Sequence, residues 1–182
     1  NNPNYSFEQK LLAKQQLAKD FLVAGFYDRA ENYYILLLDE PDFAVHSLTQ
    51  LSLIYQKTKE WKKAINVAEK LIKIDPDTNK TPISHYYCEY AQTVKNNDVL
   101  YIKLLQQALQ YSPKCSRASI LLGRYFLEQK EFNQALFHFE NIINQDFDYI
   151  SEVLDNIRQC YTELDALAHL ELFLIIRTFF YD

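Results

Sequence analysis

Histidine and cysteine are the side chains of this sequence with the clearest capacity for chemistry. His85 and Cys88 lie three residues apart, so on a helix they would share one face and could supply two ligands to a metal ion. A zinc site needs three or four ligands, and neither a CxxC motif nor a second pair at zinc-like spacing accompanies them. We therefore interpret the pair as part of a packed helix face, and we expect no cofactor in this segment.

Motifs of catalysis are also missing from the sequence. It contains no Gly-rich phosphate loop, no G-x-S-x-G turn and no H-E-x-x-H helix, and its two glycines nearly exclude a phosphate cradle. Its three cysteines, Cys88, Cys115 and Cys160, are odd in number and far apart, which favours reduced thiols in a cytosolic compartment. Cys88 and Cys160 are predicted to be small core residues. The sequence predicts a protein that is not an enzyme.

Composition restricts both the fold and the partners. The formal net charge is −5 and the pI about 5.4, so the basic excess of a phosphate-binding surface is missing and nucleic acid is not an expected partner. Hydrophobic residues make up 48% of the chain, and only 2 Gly and 5 Pro are available for the tight turns of a β protein. Helices joined by short loops are therefore favoured.

The chain repeats its pattern of large and small residues. Leu17 and Leu51 are 34 residues apart, and so are Ala30 and Ala64. This period is typical of the tetratricopeptide repeat, in which small residues at the eighth and twentieth positions let two antiparallel helices approach closely. We predict an all-α fold, a right-handed α-solenoid of antiparallel helix pairs. The predicted small contact residues are Ala18, Ser52 and Gly123 at the eighth position, and Ala30, Ala64 and Ala135 at the twentieth.

Five repeat units are predicted across a single tetratricopeptide domain of residues 1–182. Their approximate bounds are 11–44, 45–81, 82–115, 116–150 and 151–182. The third unit is degenerate because Tyr101 stands where a small residue is expected, and the fifth because Leu170 does. Short polar hinges are expected at residues 57–60 and 128–131.

The last predicted helix carries more apolar side chains than one buried stripe can hold, between Leu172 and Tyr181. Solenoids normally end in a helix with a polar outer face. We therefore expect further repeats, a partner or a second copy of the chain to cover this end. Self-association in a generic oligomerisation or assembly module is the alternative function.

A solenoid of this kind has a concave surface lined by the first helix of each repeat. The inward positions of the middle repeats combine Tyr with Arg, which are enriched among binding hot spots. Tyr86, Tyr90 and Arg124 are expected to contribute most, and the alternative is a solvated inner face. The predicted protein-binding groove comprises Gln15, Lys19, His46, Thr49, Gln56, Tyr86, Tyr90, Arg117 and Arg124.

Several segments resemble one family beyond the repeat consensus. They are Ala24–Glu31, Ile54–Gln56, Glu60–Glu69, His85–Glu89, and Ser151–Leu154 with Cys160 and Tyr161. These segments are similar to the lipopolysaccharide assembly protein B family, and the similarity runs from about Tyr5 to Phe173.

The resemblance implies a function that periodicity does not reveal. Members of that family are inner-membrane proteins of Gram-negative bacteria, with an N-terminal anchor, cytoplasmic repeats and a rubredoxin-like domain that binds iron or zinc through paired CxxC motifs. They restrain lipopolysaccharide synthesis by helping a membrane-bound ATP-dependent protease degrade the lipid A pathway deacetylase.

This sequence departs from the family pattern at both ends. It has neither anchor nor CxxC pairs, so the family's metal site carries over to no residue here. We expect a central fragment of a longer protein, which would explain both the lack of Met and the apolar end. The resulting hypothesis is a protein-binding adaptor, held at the cytoplasmic face of the inner membrane by an anchor absent from this sequence. Its expected partners are the protease and the deacetylase.

Overall fold

The computed structural model describes residues 6–74 and 80–166. Every regular element in these two ranges is a helix, which confirms the predicted all-α class. The chain divides into two compact units, Asn1–Tyr86 and Tyr87–Asp182, and the division falls within one helix. Leu170 and the apolar stretch from Leu172 to Tyr181 lie outside the described residues.

The first unit contains two helix pairs and the beginning of a third. A capping box starts its first helix, because Ser6 Oγ accepts a hydrogen bond from the Gln9 amide while Gln9 Oε1 accepts one from the Ser6 amide. The helices are α1 (Phe7–Val23), α2 (Tyr27–Leu36), α3 (Pro41–Thr58), α4 (Trp61–Ile74) and the start of α5 (Lys80–Thr93). Helix α1 packs on α2, α2 on α3, and α3 on α4.

The second unit continues the same alternation of helices. After the end of α5 come α6 (Asp98–Tyr111), α7 (Ser116–Glu128), α8 (Phe132–Glu140), α9 (Ile142–Gln145), a 3-10 turn (Phe147–Tyr149) and α10 (Ile150–Glu163). Helix α6 packs on α7, α7 on α8, and α8 on α10. Stacked rings of Tyr87 and Tyr111, 5.6 Å apart, join α5 to the end of α6.

The helix pairs begin close to the predicted unit starts. Helices α1 and α3 begin four residues before residues 11 and 45, α5 begins two before residue 82, and α7 begins at residue 116. Helix starts alone do not establish five repeat units, so that division stays a prediction.

The same turn ends the first helix of four repeats. In each, one residue adopts the left-handed conformation, and the next amide donates to the carbonyl five residues earlier, which is the long bond of a Schellman motif. The left-handed residues are Gly25 (φ 79°), Lys59 (59°), Lys130 (61°) and Asp165 (52°). The bonds run from Phe26 to Phe21, Glu60 to Tyr55, Glu131 to Phe126 and Ala166 to Tyr161, each at 2.9 Å. Two of these turns coincide with the hinges predicted at residues 57–60 and 128–131.

The small residues predicted at helix contacts are buried, except for one. Ala18, Ala30, Ala64 and Ala135 are completely buried, and Gly123 is buried too. Ser52 differs because it is only half-buried.

The third pair accommodates its irregular residue through a tilted contact between two aromatic rings. Tyr101 is buried and its ring lies 5.6 Å from that of Tyr125, so a large ring occupies the place of the small residue. Cys88 and Leu105 are fully buried, as the sequence pattern predicts for core positions. Cys160 is fully buried as well, and its assignment to the core is confirmed.

Candidate protein-binding surfaces

The first helices of the first unit carry five of the predicted groove residues. Four are exposed and Gln15 is half-buried; the exposed four are Lys19, His46, Thr49 and Gln56. Two apolar side chains of the same helices are also accessible, Leu12 at 51% and Leu53 at 42%. These helices therefore present apolar contact area among hydrogen-bonding groups, the mixture found at protein interfaces.

Tyr86 lies in the core, where we expected a surface residue. Only 5% of it is accessible, its ring stacks on Trp61 at 6.2 Å, and its hydroxyl shares a 3.1 Å hydrogen bond with Ser52 Oγ. Burying the ring removes a large apolar surface from water while Ser52 satisfies the hydroxyl. Tyr86 thus joins α5 to α3 and α4 and offers little of its ring to a partner.

Ion pairs join the first helices of successive repeats in the second unit. Arg117 on α7 lies 2.5 Å from Glu89 on α5, and Arg124 on α7 lies 2.9 Å from Glu152 on α10. Both pairs have the same sequence separation, 28 residues (117 − 89 and 152 − 124). Tyr90, on α5 beside Glu89, is half-buried. Glu89 was missing from the predicted groove, although the equal spacing of the two pairs is a signal that sequence reasoning could have used.

These pairs remain available to a partner. The Arg117 and Arg124 side chains are 52% and 43% accessible. An exposed ion pair contributes only about 0–1 kcal/mol to folding. Because a guanidinium has five N–H donors, each Arg keeps donors for a second acceptor after it pairs with its own carboxylate. The second unit therefore presents alternating positive and negative groups at fixed spacing.

The second unit also contains a shallow cavity that was not predicted from the sequence. Most of its lining residues lie on or between α8 and α9. Its volume is about 470 Å³. Three buried polar atoms belong to residues of its wall and have no hydrogen-bond partner, Ser119 Oγ, His138 Nδ1 and Gln145 Oε1. Burial lowers the pKa of His138 to about 4, so the imidazole is neutral at physiological pH. The other lining residues are Leu109, Pro113, Lys114, Phe137, Asn141 and Asn144.

The walls of this cavity come from α6, the loop after it, α7, α8 and α9. The repeat pattern could not predict it, because that pattern does not show which distant residues come together. The strongest sequence signal is Phe137, an aromatic residue that stays 63% accessible on the outer helix. The cavity is a second surface of this unit that could receive a partner's side chain.

The candidate metal ligands do not form a metal site. Within residues 6–74 and 80–166, no group of three or more His, Cys, Asp or Glu side chains is arranged to hold a metal ion. Cys88 points into the core, where its sulfur lies 3.8 Å from that of Cys115. In the same ranges, no helix has the length and hydropathy needed to span a bilayer.

Comparison with known proteins identifies the class. Residues 45–78 and residues 102–157 match two family models, each described as a tetratricopeptide repeat. The fold is similar to that in a crystal structure of MamA, with a TM-score of 0.54 at 18% identity over 88% of this chain and 85% of that one. It is also similar to YrrB, described as a TPR protein with an unusual peptide-binding site, with a TM-score of 0.50 at 16% identity over 87% and 81%. The chain is a tetratricopeptide-repeat protein.

Within this class, the sequence resembles Lipopolysaccharide assembly protein B. It is 53% identical to the protein of that name from Haemophilus influenzae over 175 residues, which are 96% of this chain and 44% of the relative. It is 41% identical to the Escherichia coli K12 protein over 165 residues, 90% of this chain and 42% of that protein. The resemblance inferred from sequence segments is confirmed. The chain spans less than half the length of these curated relatives.

Proposed function

We propose that this chain is a non-catalytic protein-binding adaptor in lipopolysaccharide assembly. The observation that carries the proposal is the pair of exposed Arg–Glu contacts on the first helices of the second unit, Arg117–Glu89 and Arg124–Glu152. They occur in a chain that resembles Lipopolysaccharide assembly protein B over almost all of its length.

The charges on these helix faces can select a partner by its own pattern of charges. Arg124 and Glu152 are fixed on different helices, so a bound segment with alternating charges would meet both at a defined separation. Complementary charges of this kind favour correct partners and raise association rates more than they raise affinity. Tyr90, which follows Glu89 on α5 and is half-buried, can supply aromatic contact area.

The family resemblance suggests which partners the adaptor binds and where it acts. We infer that the partners are a membrane-bound ATP-dependent protease and the lipid A pathway deacetylase, and that the adaptor promotes proteolysis of the deacetylase. It would act at the cytoplasmic face of the inner membrane, held there by an anchor outside this sequence. Any iron or zinc would belong to a rubredoxin-like domain that is also outside it.

Binding of the purified deacetylase and protease to the immobilised chain tests this proposal. The test variant is Arg117→Ala/Arg124→Ala, and the matched control is Lys103→Ala/Gln106→Ala, two exposed residues of α6 in the same unit. We expect the parent and the control to bind one of the two partners, and the test variant to bind at least tenfold more weakly, which corresponds to about 1.4 kcal/mol. Circular dichroism first establishes that all three are folded.

Two outcomes would contradict the proposal. Equal binding by the parent and the Arg117→Ala/Arg124→Ala variant would exclude the charged surface as the site. If Phe137→Ala abolished binding instead, the binding surface would be the cavity on α8 and not the first helices. Absence of binding by the parent would remove both named partners for this segment.

A further inference from the structure

Cys88 and Cys115 form a contact that nothing in the adaptor function uses. Cys88 lies on α5 and is completely buried, whereas Cys115 is the residue that precedes α7 and is partly accessible. Their sulfur atoms are 3.8 Å apart. The remaining cysteine, Cys160, is a free thiol buried on α10. It can serve as an internal control in tests of the other two.

We propose that Cys88 and Cys115 are an oxidative modification site, a dithiol that a hydroperoxide converts into an intramolecular disulfide joining α5 to α7. A disulfide needs a sulfur–sulfur distance of about 2.05 Å, so the two atoms must approach each other by less than the width of one atom. Both cysteines belong to the second unit.

The loop that carries Cys115 can absorb this movement. Cys115 stands outside the first turn of α7, and its side chain makes no capping hydrogen bond. Its carbonyl oxygen, not its sulfur, accepts from the amides of Ala118 and Ser119 at 3.1 and 3.3 Å. Rotation of the Cys115 side chain therefore leaves the start of the helix intact, while Cys88 keeps its place in the core.

The different exposure of the two thiols sets the order of the reaction. The contact with Cys115, together with burial, raises the pKa of the Cys88 thiol above its usual value, so Cys88 is the poorer first nucleophile. Cys115 is accessible at the start of a helix, where the helix dipole favours a thiolate.

The reaction balances in two steps. The Cys115 thiolate attacks one oxygen of the hydroperoxide, the O–O bond breaks, and Cys115 becomes a sulfenic acid while the leaving oxygen takes up a proton. The Cys88 thiol then attacks the sulfenic sulfur, its proton leaves with the hydroxyl as water, and the disulfide forms. Two thiols lose two electrons in total and one peroxide is reduced. Cellular thiols would reverse the bond, as is usual for cytosolic disulfides.

Peroxide titration of the full chain tests the proposal. After treatment with hydrogen peroxide, free thiols are blocked and the chain is digested with trypsin without reduction; cleavage after Lys95 and Lys114 places the two cysteines in different peptides. We expect a linked Cys88–Cys115 peptide pair from monomeric protein, in the parent and equally in the control Cys160→Ala. Cys115→Ala should lose the link completely.

A second variant identifies the intermediate. In Cys88→Ala the sulfenic acid cannot be resolved, so dimedone should label Cys115. If this variant does not fold, phenylarsine oxide replaces it, because a trivalent arsenical binds the parent through two adjacent thiols and should not bind Cys115→Ala. The proposal is overturned if peroxide oxidises added glutathione while Cys88 and Cys115 stay unlinked, or if the only disulfides formed join two chains.

Discussion

The close contact between Gly123 and Phe139 leads to the sharpest prediction about stability. A Cβ atom added to Gly123 would lie 2.4 Å from Phe139 Cε1, 2.6 Å from Cδ1 and 2.8 Å from Cζ. Phe139 is completely buried, so its ring cannot turn out into solvent. Gly123→Ala must therefore displace the ring or separate α7 from α8.

Two opposing effects determine the size of the change. Overpacking a core by one methyl group costs about 1–3 kcal/mol, whereas replacing Gly by Ala inside a helix stabilises it by about 0.8–1 kcal/mol. We therefore expect Gly123→Ala to lower the free energy of unfolding by up to about 2 kcal/mol. A smaller side chain in place of Phe139 should relieve the clash. The combined variant Gly123→Ala/Phe139→Leu should therefore be more stable than the sum of the two single changes implies.

Urea unfolding followed by circular dichroism provides the measurement. The single tryptophan, Trp61, lies in the first unit, so its fluorescence shows whether the loss is confined to the second. If Gly123→Ala raised stability by the full helix-propensity gain, the contact with Phe139 would not constrain packing and the reasoning would be refuted. Strict additivity of the two single changes would refute it equally.

Three further predictions concern other contacts. Lys130→Gly should stabilise the chain by about 0.5–1 kcal/mol, because glycine adopts the left-handed conformation without strain; an unchanged urea midpoint would contradict this. Tyr55→Phe should destabilise it by about 1–2 kcal/mol through loss of the 2.8 Å hydrogen bond to Glu31, and an unchanged unfolding free energy would contradict this. Burial lowers the pKa of His138 from 6.5 to about 4, so the unfolded chain binds more protons between those values, and stability should be lost as the pH falls through that window. Urea midpoints of the parent and His138→Phe compared at about pH 7 and about pH 4.5 should show the smaller change in the variant, and equal changes would contradict the assignment.

The predicted repeat pattern anticipated much of the core but less of the surface. Ala64 and Gly123 were identified from spacing alone, because close approach of two helices favours a small residue at a fixed point of the repeat. Tyr86 was assigned to the surface by the same spacing, yet the structure buries it against Trp61. A tyrosine between the core and the surface of a repeat is buried only if a neighbouring repeat offers a side chain to pack against, here Trp61. Spacing within one repeat contains no information about that neighbouring side chain.

The sequence by itself therefore determined the class of this protein, since a period of 34 residues with small residues at two points is typical of the paired helices of the tetratricopeptide repeat. It also carried the resemblance to Lipopolysaccharide assembly protein B. Only the tertiary structure decided which distant residues meet: Arg117 with Glu89, Arg124 with Glu152, and Cys88 with Cys115. The physical reason is that these contacts join residues 27 or 28 positions apart on different elements, so they depend on loop lengths and side-chain rotamers that local periodicity leaves undetermined.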